Sequence, residues 1–317
     1  MVIASGDLLE RILDETYAAW SDGLSRRAYG QLNAAQMRTP WGGERLRRLA
    51  LVDGAGQLLA SAKRYRFDAR LDGRVAPVCG IGAVFTPPAL RGRGHASRLI
   101  SRLLDEERAG GAASAMLFSE IGTPFYERLG FAPVPLDEVT VTVASGRGAP
   151  AMLVRAGHES DLPALAAMHD VRSAPARFSL RRDPGLMQFA LARKRLLSGL
   201  NPGGVRQVEF FVAEEGATAV AYAVLTVTAG GWTLDEAGDR DPAGARLGAL
   251  LQVLIAREPS RRPPLIRAWW PRTFAVPPQV ALSDRRPARD VMMMRALSDV
   301  TLPTEAGDAF YWRSDFF

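Results

Sequence analysis

Residues 85–100, FTPPALRGRGHASRLI, combine two prolines, two Arg-Gly pairs and the start of an amphipathic helical pattern. Glycine and proline supply the tight turn that leads from a strand into a helix. The backbone N–H groups of such a turn lie at the positive end of the helix dipole and lack intrahelical partners. The spacing therefore predicts an anion-binding turn, in which Gly92 and Gly94 keep the backbone accessible and Arg91 and Arg93 add positive charge.

Few other residues have the types and spacing that metal or thiol chemistry would need. Cys79 is the single cysteine, which excludes an intrachain disulfide and a cysteine-based zinc site. The three histidines, His95, His158 and His169, are scattered along the chain without clustered partners. The sequence therefore predicts no metal site.

The elements that position the glycine turn form an α+β pattern of about 145 residues. A helix is predicted after Asp7, and a second helix over residues 24–37. Three strands then form an antiparallel meander that ends at the turn. A helix from about His95 to Arg108, the strand ASAMLFS, the short helix FYERLG and the closing strand LDEVTVTVA complete the unit.

Composition limits the class of protein. The chain has 317 residues, 47% hydrophobic and 23% charged, which predicts a globular protein of two domains. No apolar run is long enough for a membrane helix, and the opening MVIASGDLLERIL does not resemble a secretion signal, so a cytoplasmic location is expected. The net charge of +6 comes from basic residues spread among 34 acidic ones, without a dense basic run. Nucleic acid is therefore not an expected partner.

The run Arg91-Gly92-Arg93-Gly94-His95-Ala96 resembles the Arg/Gln-x-x-Gly-x-Gly/Ala signature of the GNAT superfamily of acyl-CoA-dependent N-acyltransferases. The strand before the run, the helix after it and FYERLGF at residues 125–131 stand at the spacing of that superfamily. The runs VFTPPALRGRGHAS and SEIGTPFYERLGF are also similar to the fungal lysine N-acetyltransferases. The resemblance covers residues 45–135.

The resemblance implies acetyl-CoA as a co-substrate. Backbone N–H groups of residues 91–96 would bind its pyrophosphate, because glycine side chains do not block the approach. In the superfamily the strand before the turn, here Val84, Phe85 and Thr86, splays from its neighbour and pairs with the pantetheine arm. The implied cofactor-binding residues are Val84, Phe85, Thr86, Arg91, Gly92, Arg93, Gly94, His95 and Ala96.

The superfamily implies direct attack of an amine on the acetyl thioester. Tyr126 occupies its general-acid position, and a tyrosine hydroxyl is suited to protonate the leaving thiolate. The alternative is that Tyr126 is a core residue beside Phe125. Cys79 lies inside a predicted strand, and free cysteines are among the most buried residues, which argues against a covalent acyl intermediate.

The amine must also lose a proton, and a base is expected for this step. Glu120 ends the fifth predicted strand, where its carboxylate would face the acceptor or pair with a surface arginine. The tail AFYWRSDFF offers a second candidate. Its five aromatic residues predict that it covers the second domain's sheet. Some multi-domain GNAT enzymes use the C-terminal carboxylate as the base, and the resemblance extends this role to Phe317.

The element order repeats after a predicted linker at residues 144–150. The turn before the corresponding helix, DEAGDRDPAGA, holds Asp235, Glu236, Asp239 and Asp241, whose charges would repel phosphate. The predicted fold is therefore an α+β sandwich of two tandem GNAT-like domains, each a mixed, mainly antiparallel sheet flanked by helices, the second degenerate. The predicted boundaries are a catalytic domain at 1–145, a degenerate domain at 146–297 and an aromatic tail at 298–317.

The resulting hypothesis is an acetyl-CoA-dependent N-acetyltransferase that acts on a primary amine, in a lysine-like small molecule or a peptide side chain, with the second domain shaping the acceptor pocket. One alternative keeps the chemistry but makes the acceptor an aminoglycoside or a polyamine. A second alternative is a non-catalytic acyl-CoA sensor that interacts with another protein. No membrane or nucleic-acid partner is expected in any of them.

Overall fold

The computed structural model describes residues 1–144, 152–257 and 264–317, so the predicted linker lies, from residue 145 onward, outside the described residues. The α-helices within the described residues are α1 Gly6–Trp20, α2 Arg26–Arg38, α3 Pro40–Arg45, α4 His95–Ala109, α5 Pro124–Glu127, α6 Leu162–Ser173, α7 Pro184–Leu200 and α8 Ala245–Arg257. The strands are β1 Val2–Ile3, β2 Leu46–Val52, β3 Leu58–Leu71, β4 Arg74–Phe85, β5 Ser114–Ser119, β6 Ala132–Pro133, β7 Asp137–Val143, β8 Leu153–Ala156, β9 Phe178–Leu180, β10 Arg206–Glu215, β11 Thr218–Thr228, β12 Gly231–Asp239, β13 Ile266–Ala268, β14 Val280–Pro287, β15 Val291–Ala296 and β16 Ala309–Phe310.

The chain forms two compact units. The first unit contains residues 1–134, 290–304 and Phe317, and the second contains residues 135–289 and 305–316. The sheet of the first unit has the strand order β1-β2-β3-β4-β5-β15-β6, and that of the second has the order β14-β7-β13-β12-β11-β10-β8. Within each of these two paths only one neighbouring pair is parallel: β4 with β5, and β12 with β13. The predicted fold class, two mixed and mainly antiparallel sheets flanked by helices, is confirmed.

Helix α4 packs on one face of the first sheet. Its residues Leu99, Ile100, Leu103 and Leu104 are buried and recur at helical spacing, so they form one apolar stripe. They share a core with residues of β2 to β5, including Ile81 and Leu117. The residue that ends this stripe is polar: Glu107 pairs with Arg64 at 3.1 Å and with Arg66 at 3.0 Å. The helix is thereby held to β3 by charge as well as by apolar burial.

The closing strand of the first sheet comes from a different part of the chain than the sequence pattern predicts. The strand LDEVTVTVA, expected to close the first domain, is β7, and it pairs with β13 and β14 in the second unit. The first sheet is closed by β15, which pairs along β5 from Val291↔Ser119 to Ala296↔Ser114. The contacts therefore divide the chain near residues 134 and 289, instead of at 145 and 297. Alternation within a strand shows which side chains are buried but not which sheet edge receives them.

The aromatic tail is a part of the folded units and not a separate segment. Phe310 and Trp312 lie in the core of the second unit, as expected of a tail that covers the second sheet. Residues 298–304 belong to the first unit, and residues 305–316 to the second. The last residue, Phe317, belongs to the first unit.

Candidate functional site

The glycine turn leads directly into α4. Gly92 and Gly94 have φ of +76° and +74°, in the left-handed region that residues with a Cβ rarely adopt. Gly94 is the N-cap of α4 and supplies no side chain to accept the first helical N–H groups. A Cβ added at either glycine would meet no protein atom within 4 Å. The N-terminus of α4 therefore presents backbone donors to open space, as an anion site requires.

The arginines of the turn have different surroundings. The Nε–H of Arg91 donates to the carbonyl oxygen of Thr86 at 3.3 Å, which ties the turn to the end of β4. Arg93 is exposed. A weak contact of 3.4 Å joins the Nη2 of Arg98 to the Nδ1 of His95, one turn back along the helix. Arg91 is exposed as well, so the two arginines differ in the hydrogen bond of Arg91 and not in exposure.

Strands β4 and β5 separate just before this turn. Their parallel pairing ends at Ile81↔Leu117, although β4 continues to Phe85. On its other side β4 has a bulge, because Lys63 pairs with Gly82 and Ser61 with Phe85. Ala83, inside the bulge, has φ of +47°, a strained conformation for a non-glycine residue. The backbone of residues 82–85 is therefore turned away from β5 at the point where Val84, Phe85 and Thr86 were expected to meet the pantetheine arm.

Tyr126 lies in the short helix α5, which follows β5. It is 7% exposed, and its ring packs edge-on against Phe125 and Phe131 at 4.9 and 6.1 Å between centroids. Burial, with a smaller contribution from the charge of Glu120, raises the pKa of Tyr126 to about 12. The hydroxyl therefore keeps its proton through the neutral range, as a proton donor must. The packing also fits the alternative role of a core residue.

Glu120 is the first residue after β5 and is exposed. Its charge contributes, after burial, to the raised pKa of Tyr126. The turn that follows Glu120 is held by Ser119, whose hydroxyl donates to the carbonyl oxygen of Gly122 at 2.5 Å. The chain therefore leaves β5 and enters α5 through a defined turn.

Phe317 packs on the sheet face opposite α4. Its ring lies 4.9 Å from Tyr65, 5.1 Å from Phe67 and 5.6 Å from Phe118, between centroids. A Cβ at Gly80 of β4 would lie 2.9 Å from the Cζ of Phe317, so only glycine leaves room for this ring. The carbonyl oxygen of Phe317 lies 3.5 Å from the position that a Cβ would take at Gly82. The terminal residue therefore lies beside β4 at the start of its bulge.

Sequence reasoning missed the role of Gly80, which leaves room for the rings of Phe67 and Phe317. The signal was present, because a glycine inside a strand, here in the segment CGIG, indicates the close approach of another group. Cys79, the residue before Gly80, belongs to the core of the first unit. It is fully buried, and burial raises the pKa of its thiol. A thiol in this environment is a poor nucleophile, in agreement with the argument against a covalent intermediate.

Within the ranges described above, no three His, Cys, Asp or Glu side chains are grouped as ligands of a metal ion. No helix in the described part of the chain has the length and apolar character needed to cross a membrane.

The acidic residues of the second unit do not form the exposed, repelling turn that the sequence predicts. Asp235, Glu236 and Asp239 belong to β12 and are buried. Asp235 pairs with Lys194, and Glu236 with Arg182, each at 2.7 Å. The expectation of four acidic residues facing a phosphate is therefore wrong for Asp235 and Glu236, because the strand extends further than the turn residues suggested.

Asp239 instead occupies the N-terminus of α8. Its carboxylate accepts hydrogen bonds from the N–H groups of Leu247 and Asp241, both at 2.7 Å. Leu247 is the third residue of the helix, so an internal carboxylate takes the helical donor that a phosphate would need. In the first unit no side chain caps α4, whose N-cap residue is Gly94.

Comparisons with known proteins agree with this geometry. Residues 12–134 match the model of a family described as an acetyltransferase (GNAT) domain. No curated protein sequence matches the chain significantly. Among solved structures, a probable N-acyltransferase from Enterococcus faecalis V583 is similar, with a TM-score of 0.68 and 14% identity over 93% of this chain and 72% of that one.

Two further structures are similar. One is a GCN5-related N-acetyltransferase from Kribbella flavida, with a TM-score of 0.63 and 18% identity over 93% of this chain and 71% of that one. The other is a tandem GNAT protein from the clavulanic acid biosynthesis pathway, with a TM-score of 0.51 and 12% identity over 95% of this chain and 99% of that one. At these identities the likeness concerns the fold. Residues 12–134 are thus similar to an acetyltransferase (GNAT) domain, and the whole chain shares its fold with a tandem GNAT protein.

Proposed function

We propose that this chain is an acetyl-CoA-dependent N-acetyltransferase that transfers the acetyl group to a primary amine by direct attack. The observation that carries the proposal is the end of β4–β5 pairing at Ile81↔Leu117, directly before a glycine turn whose helix N-terminus is uncapped. An open strand edge suits the amide groups of pantetheine, and the uncapped helix suits the pyrophosphate. In this proposal, acetyl-CoA is bound by Val84, Phe85 and Thr86 and by residues 91–96.

Tyr126 is the proposed general acid. As the amine nitrogen bonds to the thioester carbon and the C–S bond breaks, the Tyr126 hydroxyl donates its proton to the leaving thiolate. The raised pKa of Tyr126 keeps that proton in place at neutral pH. Burial of Cys79 supports transfer in one step, since the chain has no accessible thiol to carry the acetyl group.

The base has two candidates. At pH 7.4, removing a proton from an alkylamine costs about 4 kcal/mol. The first is the carboxylate proposed at Phe317, whose main-chain oxygen lies beside Gly82, on the face of β4 opposite α4. The second candidate is Glu120, which is exposed and whose charge contributes to the raised pKa of Tyr126.

The proposed acceptor is a lysine-like small molecule or a lysine side chain. The basis is the similarity of two sequence segments to the fungal lysine N-acetyltransferases. An aminoglycoside or polyamine acceptor is the alternative within the same chemistry. A non-catalytic acyl-CoA sensor is the alternative outside it. The tyrosine beside the opened strand favours an enzyme, because binding alone does not need a proton donor.

The test of the function is release of free coenzyme A. Purified protein is incubated with acetyl-CoA and a panel of amines, and the thiol is measured by a chromogenic reaction. We expect thiol release that depends on the amine, with a stoichiometric acetylated product by mass spectrometry. Tight binding of acetyl-CoA with no release for any amine would favour the sensor.

The role of Phe317 is tested by adding one glycine after it. This change keeps the ring on Gly80 but converts the carboxylate beside Gly82 into a peptide carbonyl. We expect kcat to fall roughly a hundredfold with the melting temperature unchanged, because only the base is lost. The matched control is Phe317→Leu, which keeps the carboxylate. Normal turnover by the extended protein would assign the base to Glu120 or to water.

A further inference from the structure

Arg48 is a buried basic residue on the sheet face that also carries Phe317. It lies in β2 and is 6% exposed. Arg48 pairs with Lys63 in β3, and Lys63 pairs with Gly82 in β4. Residues directly opposite one another share a sheet face, so Arg48 and Lys63 lie on the face beside which Phe317 packs.

The guanidinium of Arg48 extends to the bulge of β4. Its Nη1 approaches the carbonyl oxygen of Ala83 at 3.5 Å, at the limit of a hydrogen bond. Its Nη2 is buried and has no hydrogen-bond partner among the described residues. Ala83 is the residue with φ of +47° that directly precedes Val84. One donor of Arg48 is therefore unused beside the segment proposed to bind the pantetheine arm.

Ser61 provides a second unused donor close by. Ser61 pairs with Ala50, two residues from Arg48 along β2, so it is a diagonal neighbour of Arg48 on the same face. Across the bulge, Ser61 pairs with Phe85. Ser61 is fully buried, and its hydroxyl has no partner in the described part of the chain. Two buried donors thus border the bulge without an acceptor.

The charge of Arg48 indicates what kind of acceptor is missing. Burial lowers the pKa of Arg48, and the groups that oppose this effect are the hydroxyls of Tyr29 and Tyr65. The Tyr29 hydroxyl also interacts with the hydroxyl of Thr16 at 3.0 Å. Phenol hydroxyls are uncharged at neutral pH, so they do not neutralise the cation. Burial disfavours a cation, and a carboxylate of a ligand would offset this cost.

We propose that Arg48 and Ser61 form a subsite for a carboxylate on the acceptor, so that the preferred substrates are amino acids or related amines that bear a carboxylate. A carboxylate matches two donors through its two oxygens, and Lys63 opposite Arg48 adds positive charge to the same face. This inference rests on the proposed N-acetyltransferase function. It assigns Arg48 and Ser61 to recognition of the acceptor.

The first experiment compares amines that differ only in a carboxylate, such as lysine with cadaverine and ornithine with putrescine. Thiol release gives kcat and KM for each amine. We expect kcat/KM to be at least about tenfold higher for the carboxylate-bearing member of each pair. Equal or higher values for the diamines would overturn the inference while leaving the acetyltransferase function intact.

The second experiment replaces Arg48 by methionine, which keeps the length of the side chain without the charge. We expect KM for lysine to rise roughly ten- to a hundredfold, with KM for cadaverine and the affinity for acetyl-CoA unchanged within about threefold. The matched control is Arg47→Met, since adjacent strand residues face opposite sides and Arg47 is bonded to Gly43 and Leu46. An equal loss of kcat for both amines would instead assign Arg48 to the bulge or to the thioester carbonyl.

A binding measurement separates failure of this inference from failure of the function. Calorimetry with the coenzyme A complex measures lysine and cadaverine without turnover. Preferential binding of lysine that is lost in Arg48→Met supports the subsite even if no thiol is released, whereas loss of the preference in Arg47→Met would overturn it. If Arg48→Met does not fold, Ser61→Ala replaces it, with an expected rise of about three- to tenfold in the dissociation constant of lysine. An unchanged constant in that variant would contradict the subsite.

Discussion

At the scale of single residues, Tyr126 is the proposed proton donor and Phe317 is one of the two proposed bases. Tyr126 is held among aromatic rings, and burial raises its pKa to about 12. Gly80 admits the ring of Phe317 against β4. These two residues are therefore the first points at which to test the proposed reaction.

Tyr126→Phe removes one hydroxyl and keeps the ring. We expect kcat to fall roughly a hundredfold or more, because the thiolate then leaves without a proton donor, while the affinity for acetyl-CoA stays nearly unchanged. Steady-state kinetics and calorimetry measure the two effects. The control is Tyr17→Phe, which removes only the hydrogen bond from Tyr17 to the carbonyl oxygen of Leu24. A kcat within about threefold of the parent value would mean that Tyr126 serves packing alone.

The raised pKa of Tyr126 has a consequence for the pH dependence. A tyrosine of ordinary pKa, about 10, would lose its proton and cause kcat/KM to fall above that pH. Because burial raises the pKa to about 12, Tyr126 stays protonated, and kcat/KM should not fall between pH 9 and 10.5. A profile of kcat/KM over this range checks the expectation. A fall centred near pH 10 in the parent enzyme, absent from Tyr126→Phe, would contradict it.

At the scale of elements, both units contain a helix that follows a strand, but the N-termini of the two helices differ. Helix α4 begins at Gly94, which supplies no cap, whereas the N–H of Leu247 in α8 donates to the carboxylate of Asp239. A ligand phosphate can use the free donors of α4 but would have to displace a buried carboxylate at α8. We therefore expect the second unit not to bind coenzyme A, so that one coenzyme A binds per chain.

Gly94→Val tests the turn. Valine at φ of +74° costs roughly 1–2 kcal/mol of backbone strain, and its side chain occupies the open space before α4. We expect calorimetry to show one acetyl-CoA site per chain in the parent and none in the variant. Gly111→Val is the matched control, because Gly111 has φ of +86°, is equally open, and lies just beyond the other end of α4. Equal affinity in a folded Gly94→Val variant would remove the turn from the proposed site.

At the scale of the whole molecule, the chain does not divide into two consecutive folding units. Strand β15, near the C-terminus, closes the first sheet, and β7, which follows the first 134 residues, lies in the second. Met292, Met293 and Met294 of β15 are fully buried. Burial of a methionine side chain contributes about 1.5–3 kcal/mol, so this distant strand is expected to stabilise the first unit.

A fragment of residues 1–145 should therefore fail to fold by itself. It lacks β15, which leaves the edge of β5 unpaired, and it carries β7 without its own sheet. Circular dichroism during thermal unfolding would show no cooperative transition for the fragment but one for the full chain. A fragment 1–134 joined through a short glycine linker to residues 290–304 is the matched control, expected to recover a transition. Cooperative unfolding of 1–145 would contradict the role of β15.

The sequence by itself was sufficient for the features that are encoded locally. The glycine turn, α4 after it, the meander before it and Tyr126 after the fifth strand all follow from residue types at short spacing. Left-handed glycines and the 3.6-residue period act within a few residues, so they can be read without the fold.

Only the tertiary structure decided which strands close each sheet, where Phe317 lies and which polar groups lack partners. The alternation of β7 and β15 fits either sheet, because a strand pattern specifies a buried face and not a neighbour. Asp235 and Glu236 look like turn residues in the sequence, but partners 41 and 54 residues away, Lys194 and Arg182, hold them in a buried strand. In the sequence, Arg48 is one of many arginines. The register of three strands places it beside the bulge of β4, where its Nη2 is buried without a partner among the described residues. These features depend on contacts between residues far apart in the chain, and no local pattern determines such contacts.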